Sequence, residues 1–443
     1  MHICQRWRQL IFVSPLRLDL RIFCSSRNLV GKDLGIWPVF PICVDFDFHS
    51  DRRHGNNPCS EDNIVTALEH VDRVCEVRLN VTRSELRKIS GAMKKPFPVL
   101  TALRISSKDG YAPVLPAEFL GGSAPRLQEI ELYGIPFPAL PTLLLSTSNL
   151  VELNLGSIPP TGYIPPEAMV ACLATLPRLH TFGIGSRSTT PRPDQIHPPP
   201  VTRTVLPALT DFAFDGASRY MEDLVSRIDA PQLNAIHICY VIELVDFQVA
   251  QFAKFIDRSV GPKLTQFRCA QISFYSYLVT FNLNTSRHAN DPHPDPPYAI
   301  RCHGIDRQVL HMTQLLNHVS ATLSNVVHLK LEVFLKRDGR LEGTDEVDWL
   351  HLFQQFPAVH TLHVSQELSS RELSEHVALA LESITGETVA ETMPSLDLIY
   401  LAELPASSIE KFVAARRLSG RPVTVVETQM EFDEKLESYH VSK

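Results

Sequence analysis

Pro98-Val-Leu100-Thr-Ala-Leu103-Arg-Ile105 is the stretch that decides the fold. Leu103 and Ile105 alternate with period two, so both face one side of a short strand and Arg104 faces the other. The leading proline ends any helix before it and removes an N–H just ahead of the ladder. The pattern returns as Pro125-Arg-Leu127-Gln-Glu-Ile130-Glu-Leu132 and Ser148-Asn-Leu150-Val-Glu-Leu153-Asn-Leu155. Further copies lead with Pro177, Pro207, Pro231, Pro262, Ser324, Pro357 and Pro394, and a degenerate first copy runs Val74-Cys-Glu-Val77-Arg-Leu79. The third residue of each copy falls at 74, 100, 127, 150, 179, 209, 233 and 264. The next is at 326, and Tyr298-Ala-Ile300-Arg-Cys302 supplies the strand expected in that gap.

Helical stretches separate the copies. Thr82-Arg-Ser-Glu85 reads as a capping box, Pro165-Pro166-Glu167 as a helix start, and Ser370 and Ser407 as two further starts. Strands alternating with helices, at a spacing near the ~20–29 residues of leucine-rich repeats, predict an α/β chain. The expected architecture is an irregular leucine-rich-repeat solenoid, with a curved parallel sheet inside and helices outside. The repeats span 19–427, with Pro-rich loop insertions near 187–202 and 286–297, and 428–443 reads as an acidic C-terminal helix or tail.

Composition excludes several classes of function. Lys plus Arg number 42 against 49 Asp plus Glu, so the chain lacks the basic excess of a nucleic-acid or anionic-membrane binder. Neither partner is expected, and no apolar run approaches the ~20 residues of a membrane span. The nine cysteines form no C-x-x-C pair, which fits reduced thiols in the cytoplasm or nucleus. P-loop, H-E-x-x-H and G-x-S-x-G motifs are all missing, so no catalytic residue, metal or cofactor is expected. Gly183-Ile-Gly185 is too short for a dinucleotide fingerprint. His360 and His363, three apart on a strand, point to opposite faces and cannot chelate together.

Four stretches resemble the large fungal family of F-box-like proteins with irregular leucine-rich repeats. Cys4-Gln-Arg-Trp7 through Ser14-Pro-Leu is similar to the end of an F-box, and Gly35-Ile-Trp37-Pro to the segment after it. Pro96-Phe-Pro-Val-Leu100 is similar to an early repeat, and Trp349-Leu-His-Leu-Phe353 through Val359, then Ile384-Thr-Gly-Glu387 and Leu418-Ser-Gly-Arg-Pro-Val423, to the C-terminal block. The resemblance implies a substrate adaptor of a cullin-RING ubiquitin ligase that docks on the Skp adaptor. Residues 1–18 would be the remnant of the F-box, with Arg6, Trp7, Leu10 and Ile11 as relics of the docking helix. The rest of an F-box would precede Cys4, so a ligase-independent binding scaffold is the alternative.

Either way, the expected activity is non-catalytic recognition of a protein through the concave strand face. Its candidate residues on the early copies are Glu129, Glu131, Glu152 and Asn154. On the later copies they are His237, Arg268, His328, Lys330, His363 and Tyr400. With strands ~4.8 Å apart, the three glutamates should form an acidic patch and Arg268 with Lys330 a basic zone. No nucleophile stands beside an oriented base on this face, which leaves only an unrecognised hydrolase on the His-bearing half as the enzymatic rival.

Overall fold

The computed structural model describes Arg6, 21–25, Leu34, 40–47, 61–107, 112–186, 202–241, 249–260, Lys263, 266–284, 296–303, 308–319, 323–334, 346–366, 377–378, 381–382, Ile384, 391–402 and 405–428. Trp7, Leu10, Ile11, the helix start at Ser370, the tail beyond Thr428 and nearly all of both Pro-rich segments lie outside the described residues. The chain is α/β, with a large and mostly parallel sheet. It divides into two compact units, Met1–Ala235 and Ile236–Lys443.

The first unit runs β1 (Ile22–Ser25), β2 (Ile42–Asp47), α1 (Glu61–Leu68), β3 (Val74–Val81), α2 (Arg83–Ala92), β4 (Ala102–Ser107) and β5 (Glu129–Tyr133). It continues through α3 (Leu140–Leu144), β6 (Glu152–Ile158), α4 (Pro166–Leu173), β7 (Thr181–Ser186), β8 (Thr204–Val205), β9 (Asp211–Gly216), α5 (Ser218–Ser226) and β10 (Ile228–Asp229). Strands β1 to β7 and then β9 lie side by side in chain order, all parallel, while β8 and β10 form a separate parallel pair.

A repeated backbone device locks this register. The N–H groups of Gln128 and Glu129 both donate to the Thr101 carbonyl, at 2.8 and 3.1 Å. Val151 and Glu152 do the same to Gln128, His180 and Thr181 to Val151, and Thr210 and Asp211 to His180. Each copy is thereby held one rung from the last, and its two apolar strand residues fall in line with theirs. Leu103, Ile130, Leu153, Phe182 and Phe212 make one row of the core, all at most 1% exposed. Burying each is worth ~1.5–3 kcal/mol against an exposed position. The helices close the core from the other side, with Leu86 and Ile89 of α2 at 0% exposure. The capping box forms: the Thr82 N–H donates to Glu85 Oε2 at 2.8 Å and the Thr82 hydroxyl to the same oxygen at 2.9 Å.

The second unit opens with β11 (Ala235–Val241), α6 (Ala250–Ser259), β12 (Cys269–Tyr275), β13 (Leu278–Asn284), β14 (Tyr298–His303) and α7 (Gln308–His318). It ends with β15 (His328–Phe334), α8 (Glu346–Gln354), β16 (Thr361–Gln366), β17 (Leu398–Ala402), α9 (Glu410–Leu418) and β18 (Thr424–Thr428). Its strand order is β11-β14-β13-β12-β15-β16-β17-β18.

Two expectations fail here. The ladder is not parallel throughout, because β12 turns back at Ser276-Tyr277 into β13, which runs antiparallel to both β12 and β14. The Tyr298 strand exists as β14, but it pairs with β11 and does not stand between β12 and β15, which pair directly.

The Pro262 copy is also misframed, by three residues. Arg268 supplies the carbonyl that takes the Val327 and His328 N–H groups, at 2.8 and 3.0 Å, as Thr101 does in its own copy. The true copy is therefore Thr265-Gln-Phe267-Arg-Cys-Ala270-Gln-Ile272, with Ala270 and Ile272 in the core at 2% and 0% exposure. Cys269 is half-exposed and belongs to the open face.

Candidate functional site

Every strand residue between two core positions faces the side of the sheet that the core leaves open. Neighbouring copies bring those residues into rows along the ladder. In the first unit one row reads Glu76, Ala102, Glu129, Glu152, Thr181 and Asp211. The next reads Arg78, Arg104, Glu131, Asn154, Gly183 and Ala213.

Glu129, Glu131, Glu152 and Asn154 are thus neighbours, as expected, but the patch is not purely acidic. Arg104 is ion-paired with Glu129 and stands 3.7 Å from Glu131. Partial burial alone would lower its pKa, yet the bond to Glu129 and the surrounding carboxylates raise it. Glu152 lies opposite Glu129 and accepts from Asn154 Nδ2 at 2.6 Å. Burial, and then the charge of Glu129, push the Glu152 carboxyl above its ordinary range. Like charges placed directly opposite on adjacent strands repel, so the carboxylates Glu129, Glu131 and Glu152 crowd around Arg104, with Arg78 its neighbour on the row. On the same row Gly183 carries no side chain, and a Cβ there would stand 2.3 Å from Asn154 Oδ1.

The second unit carries a different chemistry. One row reads His237, Ala299, Asn282, Gln271, Lys330, His363 and Tyr400. The adjoining row includes Thr280, Ser273, Glu332 and Ser365. Lys330, His363 and Tyr400 therefore sit together, and His328 lies two residues before Lys330 on β15, opposite Cys269 and Thr361. The His363 and Tyr400 rings stack with centroids 4.4 Å apart and planes 15° from parallel. His237 is on β11, three strands from β12, and its ladder partner is Ala299. Arg268 precedes β12 and is exposed, so the basic zone expected from Arg268 with Lys330 does not form on the ladder. His360, just before β16, is exposed and 3.5 Å from Asp397. Arg6, from the expected docking helix, is exposed.

Glu332 organises this cluster, and sequence reasoning missed it. Gln271 Nε2 donates to Glu332 Oε2 at 2.6 Å, Ser273 Oγ donates to the same oxygen at 2.9 Å, and Lys330 Nζ pairs with Oε1 at 2.6 Å. The carboxylate is only 12% exposed. A period-two reading carried two residues past Lys330 would have found Glu332; Gln271 and Ser273 required the corrected frame of β12. Glu332→Ala leaves three donors facing one another without their acceptor. It is expected to cost ~1–2 kcal/mol in urea-unfolding stability, more than an exposed ion pair is worth.

His363 adds a pH response. Burial, and then the charges of Lys330 and His328, hold its imidazole below the ordinary value of 6.5. The unfolded chain therefore takes up this proton before the folded chain does. The contribution to stability is present above pH ~6.5 and is lost as pH falls toward the depressed folded value. His363→Phe keeps the stack on Tyr400 and should flatten this part of the loss, read as the urea midpoint at about pH 7.5 against about pH 5.5. An unchanged pH slope in the variant would exclude His363 as its source.

Among the described residues, no three His, Cys, Asp or Glu side chains group as a metal site, and no helix is long and apolar enough to cross a membrane. No protein-family model matches the chain, and no curated protein does either.

Proposed function

We propose that the chain is a leucine-rich-repeat solenoid of the F-box-like kind, and that it recognises a protein without catalysing a reaction. The observation that carries this reading is the register. Successive copies repeat one carbonyl contact, bury one pair of apolar residues, and line up the residues between them as rows on an open face. Such a face holds charges at fixed spacing, and selection by charge complementarity follows from that. The first unit offers carboxylates around Arg104; the second offers Lys330, His363 and Tyr400 around a masked carboxylate. Within this reading the chain is the substrate adaptor of a cullin-RING ubiquitin ligase and docks on the Skp adaptor through the Arg6–Trp7 segment.

Co-purification with the Skp adaptor tests the ligase link. Retention of the adaptor by this chain supports it. Failure of this chain with success of a version extended at the N-terminus would mean that docking needs more helix than 1–18 supplies. If neither form retains the adaptor, the ligase reading is overturned and a free-standing binding scaffold takes its place.

A further inference from the structure

Strands β2 and β3 slip register between Ile42 and Cys43, so that Ile42 pairs with Val74 but Cys43 pairs with Glu76. Cys75 is the extra residue of this bulge. A bulge leaves one residue without a ladder partner and re-aims its side chain. Here the Cys75 thiol swings toward the neighbouring strand, 3.4 Å from the Ile42 carbonyl and 3.8 Å from Cys43 Sγ. Adjacent strands lie ~4.8 Å apart, inside the ~4.4–6.8 Å Cα separation that a disulfide spans. The two thiols differ in access, since Cys43 is 2% exposed and Cys75 is only partly buried.

We propose that Cys43 and Cys75 form a dithiol site that hydroperoxides oxidise to a reversible disulfide, with Cys75 as the attacking thiol and Cys43 as the resolving one. Ionised Cys75 attacks one oxygen of hydrogen peroxide. The O–O bond breaks, Cys75 becomes a sulfenic acid, and the departing hydroxide takes up a proton to give water. Cys43 sulfur then attacks Cys75 sulfur. The S–S bond forms, the S–O bond breaks, and the hydroxyl leaves as a second water with the Cys43 proton. Two thiols and one peroxide give one disulfide and two waters.

The surroundings favour this order of events. The hydrogen bond from Cys43 and then the charge of Arg21, working against burial and the Glu76 carboxylate, bring the Cys75 pKa down to about 7. The same hydrogen bond and burial raise Cys43, so one thiol of the pair ionises and the other keeps its proton. Arg21 Nη1 lies 3.8 Å from Cys43 Sγ and 3.2 Å from Glu76 Oε2, and Arg78 pairs with the other Glu76 oxygen at 2.5 Å. Elsewhere, Cys172 and Cys302 are pushed up by burial, which keeps them as unreactive thiols. Oxidation also removes the Cys43 donor, 3.7 Å from Glu76, and changes the end of the charged row on the open face.

The full chain, treated with one equivalent of hydrogen peroxide, should lose two titratable thiols. A peptide pair joining Cys43 to Cys75, two hydrogens lighter than its reduced parts, should appear by mass spectrometry and vanish with dithiothreitol. Cys75→Ser should slow peroxide consumption about tenfold, while Cys43→Ser should leave a Cys75 sulfenic acid that dimedone traps. The rate in the native chain should rise with pH through about 7. A linkage between other cysteines, or equal peroxide consumption by the native chain and Cys75→Ser, would overturn the proposal. The cross-link in the native chain decides it even if the buried Cys43→Ser fails to fold.

Discussion

Phe212→Ala is expected to cost ~4 kcal/mol of unfolding free energy, the largest effect of any single truncation considered. Phe212 is 0% exposed on β9, opposite Phe182, and the two rings stack with centroids 5.7 Å apart and planes 20° from parallel. Removing the ring loses its transfer energy and leaves a cavity. The neighbours cannot collapse into it, because the backbone on both sides is pinned, by the paired N–H contacts to the His180 carbonyl on one side and to the Thr210 carbonyl on the other. Asp211, one residue earlier, faces the open side, so Asp211→Asn should cost ~0.5 kcal/mol or less. Urea unfolding of the two variants checks the alternation directly. Similar losses in both would refute the assignment of one face to the core and the other to solvent.

Arg416→Ala should cost ~3 kcal/mol, for a different reason. Arg416 lies on α9 with 0% exposure, and burial followed by the charge of Arg421 lowers its pKa. Its Nη2 donates to the Leu396 carbonyl at 2.5 Å and its Nη1 to the Met393 carbonyl at 3.5 Å. Met393 is in the left-handed region at φ 45, an arrangement that persists only when its surroundings hold it. The arginine thus fixes the turn that delivers β17, and with it Tyr400 against His363. Amide exchange in β17 should accelerate in the variant, and Arg416→Lys should recover part of the loss by reaching one carbonyl. Unchanged exchange at Tyr400 would show that the turn holds without the guanidinium.

The sequence makes the core legible wherever bulky residues mark the period. Leu103 with Ile105 and Ile130 with Leu132 leave no doubt about which face is buried. The Thr82–Glu85 cap is equally readable, since its chemistry is local. The frame slips at Pro262 because a proline stands where a copy should begin, while the small Ala270 stands where a leucine would have marked the strand. The β12–β13 hairpin is hidden because its turn, Ser276-Tyr277, contains neither glycine nor asparagine, the usual signal of a two-residue reversal. Within the candidate site, Lys330, His363 and Tyr400 follow from spacing once parallel pairing is assumed. Gln271 and Ser273 do not, because their approach to Glu332 depends on a pairing between strands far apart in sequence. The Cys43–Cys75 contact depends on a one-residue bulge that no periodic reading reveals.

The strand order carries a kinetic consequence. In the first unit each strand of the main sheet pairs with one that follows after 20 to 33 residues, so each added rung closes a short loop. In the second, β11 must find β14 and β12 must find β15, each across roughly 60 residues. Longer closures slow the search, and β11–β14 pairing must also accommodate the intervening reversal. The N-terminal unit, which leaves the ribosome first, should therefore be assembled while its successor is still collapsing, and refolding from urea should show a fast phase from the one and a slow phase from the other.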